Sequence, residues 1–189
     1  MDVHQPELAL SELTAADLPF LLELWQKPEV MHYADEFPRL RGWSKNDGPE
    51  RVWRLYQEHH AELGSEHTQL IVWLGSLRIG ESFFSPLREG YTFGRWKKPD
   101  GVRCVMGDIK LDSMHWRQGL GTQGMRCVVE WVFGHTSCGM FVVPPHRHNP
   151  AAERVYEKAG FLRFTGTRSW RNHRIMELTR KRFEELYGQ

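Results

Sequence analysis

A glycine-rich turn at the start of a helix is the feature that most restricts the fold of this chain. Gly119, Gly121 and Gly124 occur in the segment HWRQGLGTQGMRCVVEWVF, whose apolar residues from Met125 to Phe133 have helical spacing. Glycine allows the backbone to approach a ligand closely, and the unpaired N–H groups at a helix N-terminus attract anions. The segment therefore predicts a site for a phosphate or a pyrophosphate.

The same glycines match the GxGxxG pattern of dinucleotide-binding proteins, but two observations argue against that fold. In such proteins the glycine turn follows its strand immediately, whereas here the bulky segment DSMHWRQ intervenes. Only about 65 residues follow Gly124, which is too few to complete a doubly wound sheet. A glycine pair can also start a helix that binds no ligand, so this motif needs a second observation.

The second motif is NPAAERVYEKAGF, from Asn149 to Phe161. Asn149 is a good N-cap, Pro150 suits the first helical position, and Gly160 suits the position after the helix. Tyr156 lies two turns after Asn149 on the apolar face of this helix. Taken alone, such a tyrosine is more often a core residue and such an asparagine more often a cap.

The order of the predicted elements indicates one mixed α/β sheet with helices packed on it. A capping box at Thr14 and Asp17 starts the first helix, and a second helix follows the segment NDGPE. Gly75 and Ser76 separate two strand patterns, which predicts a hairpin with a type II′ turn. The segment VRCVMGDIKLD predicts a central strand.

Together the two motifs, about 30 residues apart, resemble those of the GNAT-type N-acetyltransferase superfamily. The resemblance covers residues 104–179. GLGT followed by RVYEKAGF, with the start LTAADLPFLLELWQKPEV, is similar to aminoglycoside 6′-N-acetyltransferases and siderophore-type acyltransferases. It implies a single α/β (α+β) domain over residues 1–189, with a mostly antiparallel sheet flanked by helices. Residues 1–100 would form the acceptor side and residues 101–189 the acetyl-CoA side.

The resemblance also implies which residues bind acetyl-CoA. Backbone N–H groups of the glycine turn would hold the pyrophosphate, the strand before it would bind the pantetheine, and the second motif would contact the pantetheine and the thioester sulfur. The corresponding positions in this chain are Ile109, Leu111, Arg117, Gln118, Gly119, Leu120, Gly121, Thr122, Asn149 and Tyr156. The chain departs from the family at Trp116, where a glutamine or arginine is usual.

Amine acetylation needs a proton donor for the leaving thiolate and a proton acceptor for the attacking amine. Tyr156 is the candidate acid, because the ordinary tyrosine pKa of ~10 is close to that of an alkyl thiol. Asp108 is the candidate base, because a period of two gives it apolar neighbours that disfavour a charged carboxylate. It also lies about where the resembling aminoglycoside-type enzymes place a substrate-binding acid, so the resemblance implies that it is a substrate ligand. Asp112, Glu81 and a purely structural Asp108 remain alternatives.

Charge is distributed unevenly along the chain. Residues 1–70 carry 13 acidic and 6 basic side chains, whereas residues 71–189 carry 11 acidic and 19 basic ones. A polyanionic cofactor therefore suits the second part and a cationic acceptor the first. Asp35 and Glu36, close in sequence to several aromatic residues, are candidate ligands for a small mono- or dicationic amine. They are equally compatible with a solvated surface.

A metal, a nucleic acid and a membrane are not expected as partners. The three cysteines form no CxxC pair, and His146 and His148 have no further ligand at metal spacing. The net charge of +1 argues against a globally basic nucleic-acid binder. No apolar run approaches the roughly 20 residues of a membrane span, and no signal peptide is evident, so a cytoplasmic protein is expected. The oligomeric state, including a homodimer, stays open.

Two functions from different classes fit these observations. One is acetyl-CoA-dependent transfer of an acetyl group to a primary amine of a small molecule, or of a protein, by direct attack in a ternary complex. The other is a non-catalytic domain that binds or senses acyl-CoA. Asn149 and Tyr156 favour catalysis, whereas Trp116 slightly favours the second function.

Overall fold

The computed structural model describes residues 7–34, 44–165 and 172–188. Its strands are β1 (Leu8–Glu12), β2 (Thr68–Leu74), β3 (Leu77–Pro86), β4 (Thr92–Phe93), β5 (Trp96–Lys97), β6 (Cys104–Leu111), β7 (Met140–Val143), β8 (Leu162–Arg163) and β9 (Met176–Thr179). Its helices are α1 (Leu18–Gln26), α2 (Pro28–Met31), α3 (Pro49–Leu63), α4 (Leu120–His135), α5 (Pro150–Lys158) and α6 (Arg180–Tyr187).

Within these ranges seven strands form one sheet in the order β1-β2-β3-β6-β7-β9-β8, and β4 and β5 form a separate ribbon. All neighbours in the sheet are antiparallel except β6 and β7, which are parallel. The predicted mixed, mostly antiparallel sheet is therefore confirmed, and β6 is its central strand. Gly75 adopts a φ of +59° while Leu74 pairs with Leu77, so the predicted two-residue hairpin is also confirmed.

Helices cover both faces of the sheet because neighbouring strand residues point to opposite sides. Leu70 of β2 packs in a buried cluster with Met125 of α4, whereas Ile71 packs with Leu21 of α1 and Val52 of α3. Full burial of one such aliphatic side chain contributes about 2 kcal/mol to stability. The two clusters thus fix α4 and α5 on one face, and α1 and α3 on the other.

The helix boundaries follow the predicted caps. Thr14 and Asp17 form the capping box that leads into α1, and the Asp17 carboxylate also accepts a hydrogen bond from Arg78 Nε at 2.7 Å. Asn149 Oδ1 accepts from the N–H of Ala152 at 3.1 Å and caps α5. Gly160 follows this helix with a φ of +99°, a conformation that favours glycine.

A wedge opens in the sheet between β6 and β7. The two strands pair at only three positions, the last joining Met106 to Val142. The next residues after β7 are Pro144 and Pro145, which lack the N–H group needed to continue a ladder. Because β6 continues to Leu111, its last residues have no strand partner on the β7 side in the described part of the chain. This wedge leaves backbone groups of the central strand available to a ligand.

His67 is a buried histidine between α3 and the sheet. Its Nδ1 is 3.0 Å from Ser85 Oγ, and its Nε2 has no hydrogen-bond partner among the described residues. Burial, followed by the nearby rings of His59 and His60, lowers the pKa of His67 from 6.5 to about 4. Folding therefore favours the neutral ring.

We expect this histidine to reduce stability in mild acid. Its pKa is lower in the folded than in the unfolded chain, so the unfolded chain binds more protons between about pH 6.5 and pH 4. The free energy of unfolding is unaffected by titration of this group above pH 6.5. It should fall by about 2 kcal/mol between pH 7.5 and pH 5. Urea unfolding at the two pH values measures this loss. His67→Gln should remove most of it, and an equal loss in that variant would contradict the assignment.

Candidate active site

The wedge between β6 and β7 opens into a cleft of 1170 Å³. Its lining includes β6 from Met106 to Leu111, the turn before α4, most of α5, and α2 with the turn that follows it. Residues of β2, of β3 and of the loop before α5 also line it. The two sequence motifs therefore meet in one cavity. The acceptor-side helix α2 lies on the same cavity.

The glycine turn has the geometry of an anion site. Gly119 is the N-cap of the 16-residue helix α4 and has a φ of +81°. The amides of Thr122 and Gln123 donate back to the carbonyl oxygen of Gly119, at 3.1 and 3.2 Å. The amides of Leu120 and Gly121 donate to no group in the described part of the chain. These two N–H groups lie at the positive end of the helix, where a phosphate is stabilised.

Two side chains in the same turn hydrogen-bond to nearby backbone carbonyl groups. Trp116 Nε1 donates to the carbonyl oxygen of Leu111 at 2.8 Å, and Gln118 Nε2 donates to that of Met114 at 3.0 Å. Trp116 thus ties the end of β6 to the turn. Sequence reasoning missed this role, because a side-chain contact to a backbone carbonyl leaves no periodic signal.

Ile109 joins the central strand to both motifs. Its side chain packs against α4 so closely that a Cβ on Gly124 would lie 2.9 Å from Ile109 Cδ1. This contact explains the third glycine of the turn by helix packing rather than by ligand binding. The backbone of Ile109 also lies near the Tyr156 hydroxyl, where it counteracts part of the rise in the pKa of that group.

Tyr156 is both a core residue and a cleft residue. It is buried, its ring contacts Phe161 edge to face at 5.8 Å, and it lines the cavity. Burial, with the charges of Asp108 and Glu81, raises the pKa of the Tyr156 hydroxyl well above its usual value of 10. The phenol therefore remains protonated at any physiological pH and can serve as a donor.

Asp108 has a different environment from the one that the sequence predicts. Its carboxylate accepts from Lys110 Nζ at 2.7 Å, and its Oδ1 has no hydrogen-bond partner among the described residues. The expectation of apolar neighbours is incomplete, because Lys110 lies on the same strand face two residues further on and pairs with the carboxylate. Asp108 is an ion-paired carboxylate with one buried oxygen that has no donor in the described part of the chain.

Lys110 connects Asp108 to a second carboxylate, that of Glu81, at 3.0 Å. Glu81 is only 1% exposed and also accepts from Trp25 Nε1 at 3.2 Å and from Gln69 Nε2. Burial alone would lower the pKa of Lys110, but the two carboxylates outweigh it and raise that pKa. The group therefore carries one positive and two negative charges. Sequence reasoning found the carboxylates but missed Lys110 and Gln69.

The other predicted polar residues differ in whether they line the cleft and in what they contact. Asp112, an alternative base, does not line the cleft and instead pairs with Lys27 Nζ at 2.6 Å. Asn149 lines the cleft, but its Oδ1 is used as the cap of α5. Asp35 and Glu36 lie outside the described residues, so their role stays a prediction.

Residues 7–162 match the family model for the acetyltransferase (GNAT) domain. The chain belongs to the GNAT acetyltransferase family. It is therefore an N-acetyltransferase, and the expectation drawn from the two sequence motifs is confirmed.

Solved structures with the same fold include an aminoglycoside acetyltransferase and a spermidine N-acetyltransferase. Aminoglycoside acetyltransferase AAC(6′)-Ib in complex with coenzyme A and kanamycin is 24% identical, with a TM-score of 0.72 over 95% of this chain and 99% of that chain. The same enzyme with paromomycin and acetyl-CoA is 25% identical, with a TM-score of 0.71 over 96% and 98%. Spermidine N-acetyltransferase from Vibrio cholerae, with CoA and spermine, is 15% identical, with a TM-score of 0.68 over 93% and 97%.

The described residues hold neither a metal-binding cluster nor a membrane-spanning helix. In residues 7–34, 44–165 and 172–188, no three histidine, cysteine or acidic side chains are grouped to hold a metal ion. Over the same ranges, no helix combines the length and the apolar character needed to cross a bilayer.

Proposed function

We propose that this protein transfers the acetyl group of acetyl-CoA to a primary amine of a small cationic molecule, by direct attack in a ternary complex. One observation carries the proposal. The unpaired edge of β6, the Tyr156 hydroxyl and the free oxygen of Asp108 belong to residues that line a single cleft beside the start of α4.

The residues of this cleft fit acetyl-CoA. The free amides of Leu120 and Gly121 would bind the pyrophosphate, with the Thr122 hydroxyl as a further donor. The unpaired edge of β6 at Ile109 would hydrogen-bond the pantetheine in the manner of an added strand. Acetyl-CoA, when bound, supplies an acyl group activated as a thioester. Residues 101–189 would thus form the cofactor side and residues 1–100 the acceptor side.

Asp108 and Tyr156 would handle the protons of the reaction. Asp108 Oδ1, which has no donor in the described residues, would accept a proton from the attacking amine. The Tyr156 hydroxyl would donate its proton to the departing sulfur, because its raised pKa keeps it protonated. Lys110 would hold Asp108 through the 2.7 Å ion pair.

Charge supports a cationic acceptor. Acidic side chains of Glu29, Glu81 and Asp108 line the cleft, and Lys110 offsets only part of their charge. The other lysine and arginine residues of the lining are Arg117, Arg154 and Lys158, which lie in the two motifs proposed to bind acetyl-CoA. Asp35 and Glu36 would add to the acidic charge. The aminoglycosides and spermine bound to the related enzymes are also cationic amines.

Calorimetry with acetyl-CoA and a thiol-release assay together test the proposal. The assay would compare polyamines, amino acids, lysine peptides and aminoglycosides as acceptors. We expect acetyl-CoA to bind, and thiol release with cationic small amines to exceed that with anionic amino acids. Binding of acetyl-CoA with no turnover of any amine would instead favour a non-catalytic acyl-CoA sensor.

Asp108→Asn should lower kcat by about 100-fold at neutral pH, because the attacking amine loses its proton acceptor. The loss should shrink as the pH rises, since more of the amine is then free of its proton. The acidic limb of the pH–rate profile should therefore shift toward the pKa of the acceptor. Asp112→Asn is the matched control, because it removes a paired carboxylate outside the cleft. An unaltered acidic limb in Asp108→Asn would exclude Asp108 as the base.

A further inference from the structure

Two hydrogen-bond acceptors in the cleft have no donor within the described residues. They are Oδ1 of Asp108 and Oε1 of Gln69, and both atoms are buried. Gln69 is only 1% exposed and lines the same cavity as Asp108. A buried acceptor without a partner costs stability, so such atoms in a cleft indicate where a ligand places its donors.

The orientation of the Gln69 amide is fixed by its neighbours. Its Nε2 donates to Glu81 and lies 3.4 Å from the carbonyl oxygen of Ser82. A flipped amide would place Oε1 against these two acceptors, which is unfavourable. Glu81 is itself held by Trp25 and by Lys110. Gln69 Oε1 therefore points away from this group and has no partner in it.

The register places Gln69 and Asp108 in one row across the sheet. Gln69 pairs with Phe83, and Phe83 pairs with Asp108, so the three side chains share a face. Two strand spacings separate the outer residues, which is about 9.5 Å between their Cα atoms. Phe83 lies between them and also lines the cleft. The floor of the cleft thus offers acceptors at both ends of a short apolar surface.

We propose that Gln69 determines acceptor specificity by accepting a hydrogen bond from a second donor of the acceptor molecule. This inference rests on the proposed function, in which Asp108 receives the amine that is acetylated. The preferred acceptor then carries a primary amine at one end and an amine or a hydroxyl a few bonds away. The apolar chain between them lies over Phe83. Because Gln69 is uncharged, a neutral hydroxyl satisfies it as well as an amine does.

Three acceptors of equal length test this inference on the unaltered protein: 1,4-diaminobutane, 4-aminobutan-1-ol and 1-aminopentane. We expect kcat/KM for the first two to exceed that for 1-aminopentane by about tenfold, because only they satisfy Gln69 Oε1. Equal values for all three would overturn the inference but leave the proposed acetyl transfer intact. Preference for the diamine alone would assign the selection to the carboxylates and also overturn it. Failure to acetylate any amine would contradict both.

Two variants separate binding by Gln69 from its support of Glu81. Gln69→Met should raise KM for the two bifunctional amines and reduce the tenfold ratio to about one, with little change for 1-aminopentane. Trp25→Phe removes a different donor from Glu81 and leaves Gln69 in place, so the ratio should persist. If both variants abolish the ratio equally, Gln69 acts only by positioning Glu81 and the inference is wrong.

Discussion

Replacing Gly121 with aspartate is expected to raise the Kd for acetyl-CoA by about 10³-fold while leaving the fold intact. Gly121 is the second residue of α4, and its amide is one of the two free donors at the helix start. Two unit charges about 4 Å apart near a protein surface interact by about 4 kcal/mol, which corresponds to this change in affinity. The new carboxylate would occupy the place of the pyrophosphate.

The structure indicates why folding should tolerate this change. A Cβ at position 121 would meet only Val155 Cγ2, at the ordinary contact distance of 3.4 Å. An acidic side chain in the first turn of a helix also interacts favourably with the helix dipole. Gly121→Ala adds the Cβ without the charge and is the matched control. Calorimetry measures both affinities and thermal unfolding measures stability; native affinity in Gly121→Asp would exclude this turn as the pyrophosphate site.

The parts of the fold that sequence predicted are those governed by local chemistry. The capping box at Thr14, the hairpin at Gly75 and the Asn149 cap each depend on residues within a few positions of one another. Such signals survive in a single sequence because the backbone conformation itself requires them. The glycine turn is predicted for the same reason, since Gly119 precedes α4 with a φ of +81°, a conformation that favours glycine.

The side-chain network of the cleft could not be predicted in this way, because it depends on strand register. Glu81 and Lys110 are direct partners across β3 and β6, although 29 residues separate them in sequence. Gln69 is two strands away from Asp108 in the same row. A shift of one residue in either pairing would place these side chains on opposite faces. The sequence therefore identifies Asp108 as a candidate but not its ion pair.

The wedge between β6 and β7 could be predicted only in part from the sequence. Pro144 and Pro145 are visible in the sequence and predict the end of a strand. That this end opens the sheet at its centre becomes evident only from the pairing of β7 with β6. Trp116 is a second such case. The sequence shows that it differs from the family pattern, but only the structure shows its hydrogen bond to the carbonyl oxygen of Leu111.

Tyr156→Phe is expected to lower kcat by about 10³-fold with little change in the Kd for acetyl-CoA. The substitution removes a hydroxyl that acts only as the sulfur departs, so ground-state binding should be largely retained. Because burial raises the pKa of Tyr156, the native protein should keep this donor up to at least pH 9. Ionisation of Tyr156 should therefore cause no fall in kcat at alkaline pH. The pH dependence of kcat in this range should be the same in the native protein and in Tyr156→Phe.

Tyr187→Phe is the matched control for this prediction. Tyr187 on α6 donates to the carbonyl oxygen of Ala159 at 2.9 Å and does not line the cleft. The substitution removes one hydrogen-bonded hydroxyl on the same side of the sheet, at a cost of about 1 kcal/mol in stability. A catalytic Tyr156 predicts that kcat falls only in Tyr156→Phe, whereas equal and small effects in both variants would make Tyr156 a core residue. Single-turnover thiol release separates the two outcomes, because it reports the transfer step without product dissociation.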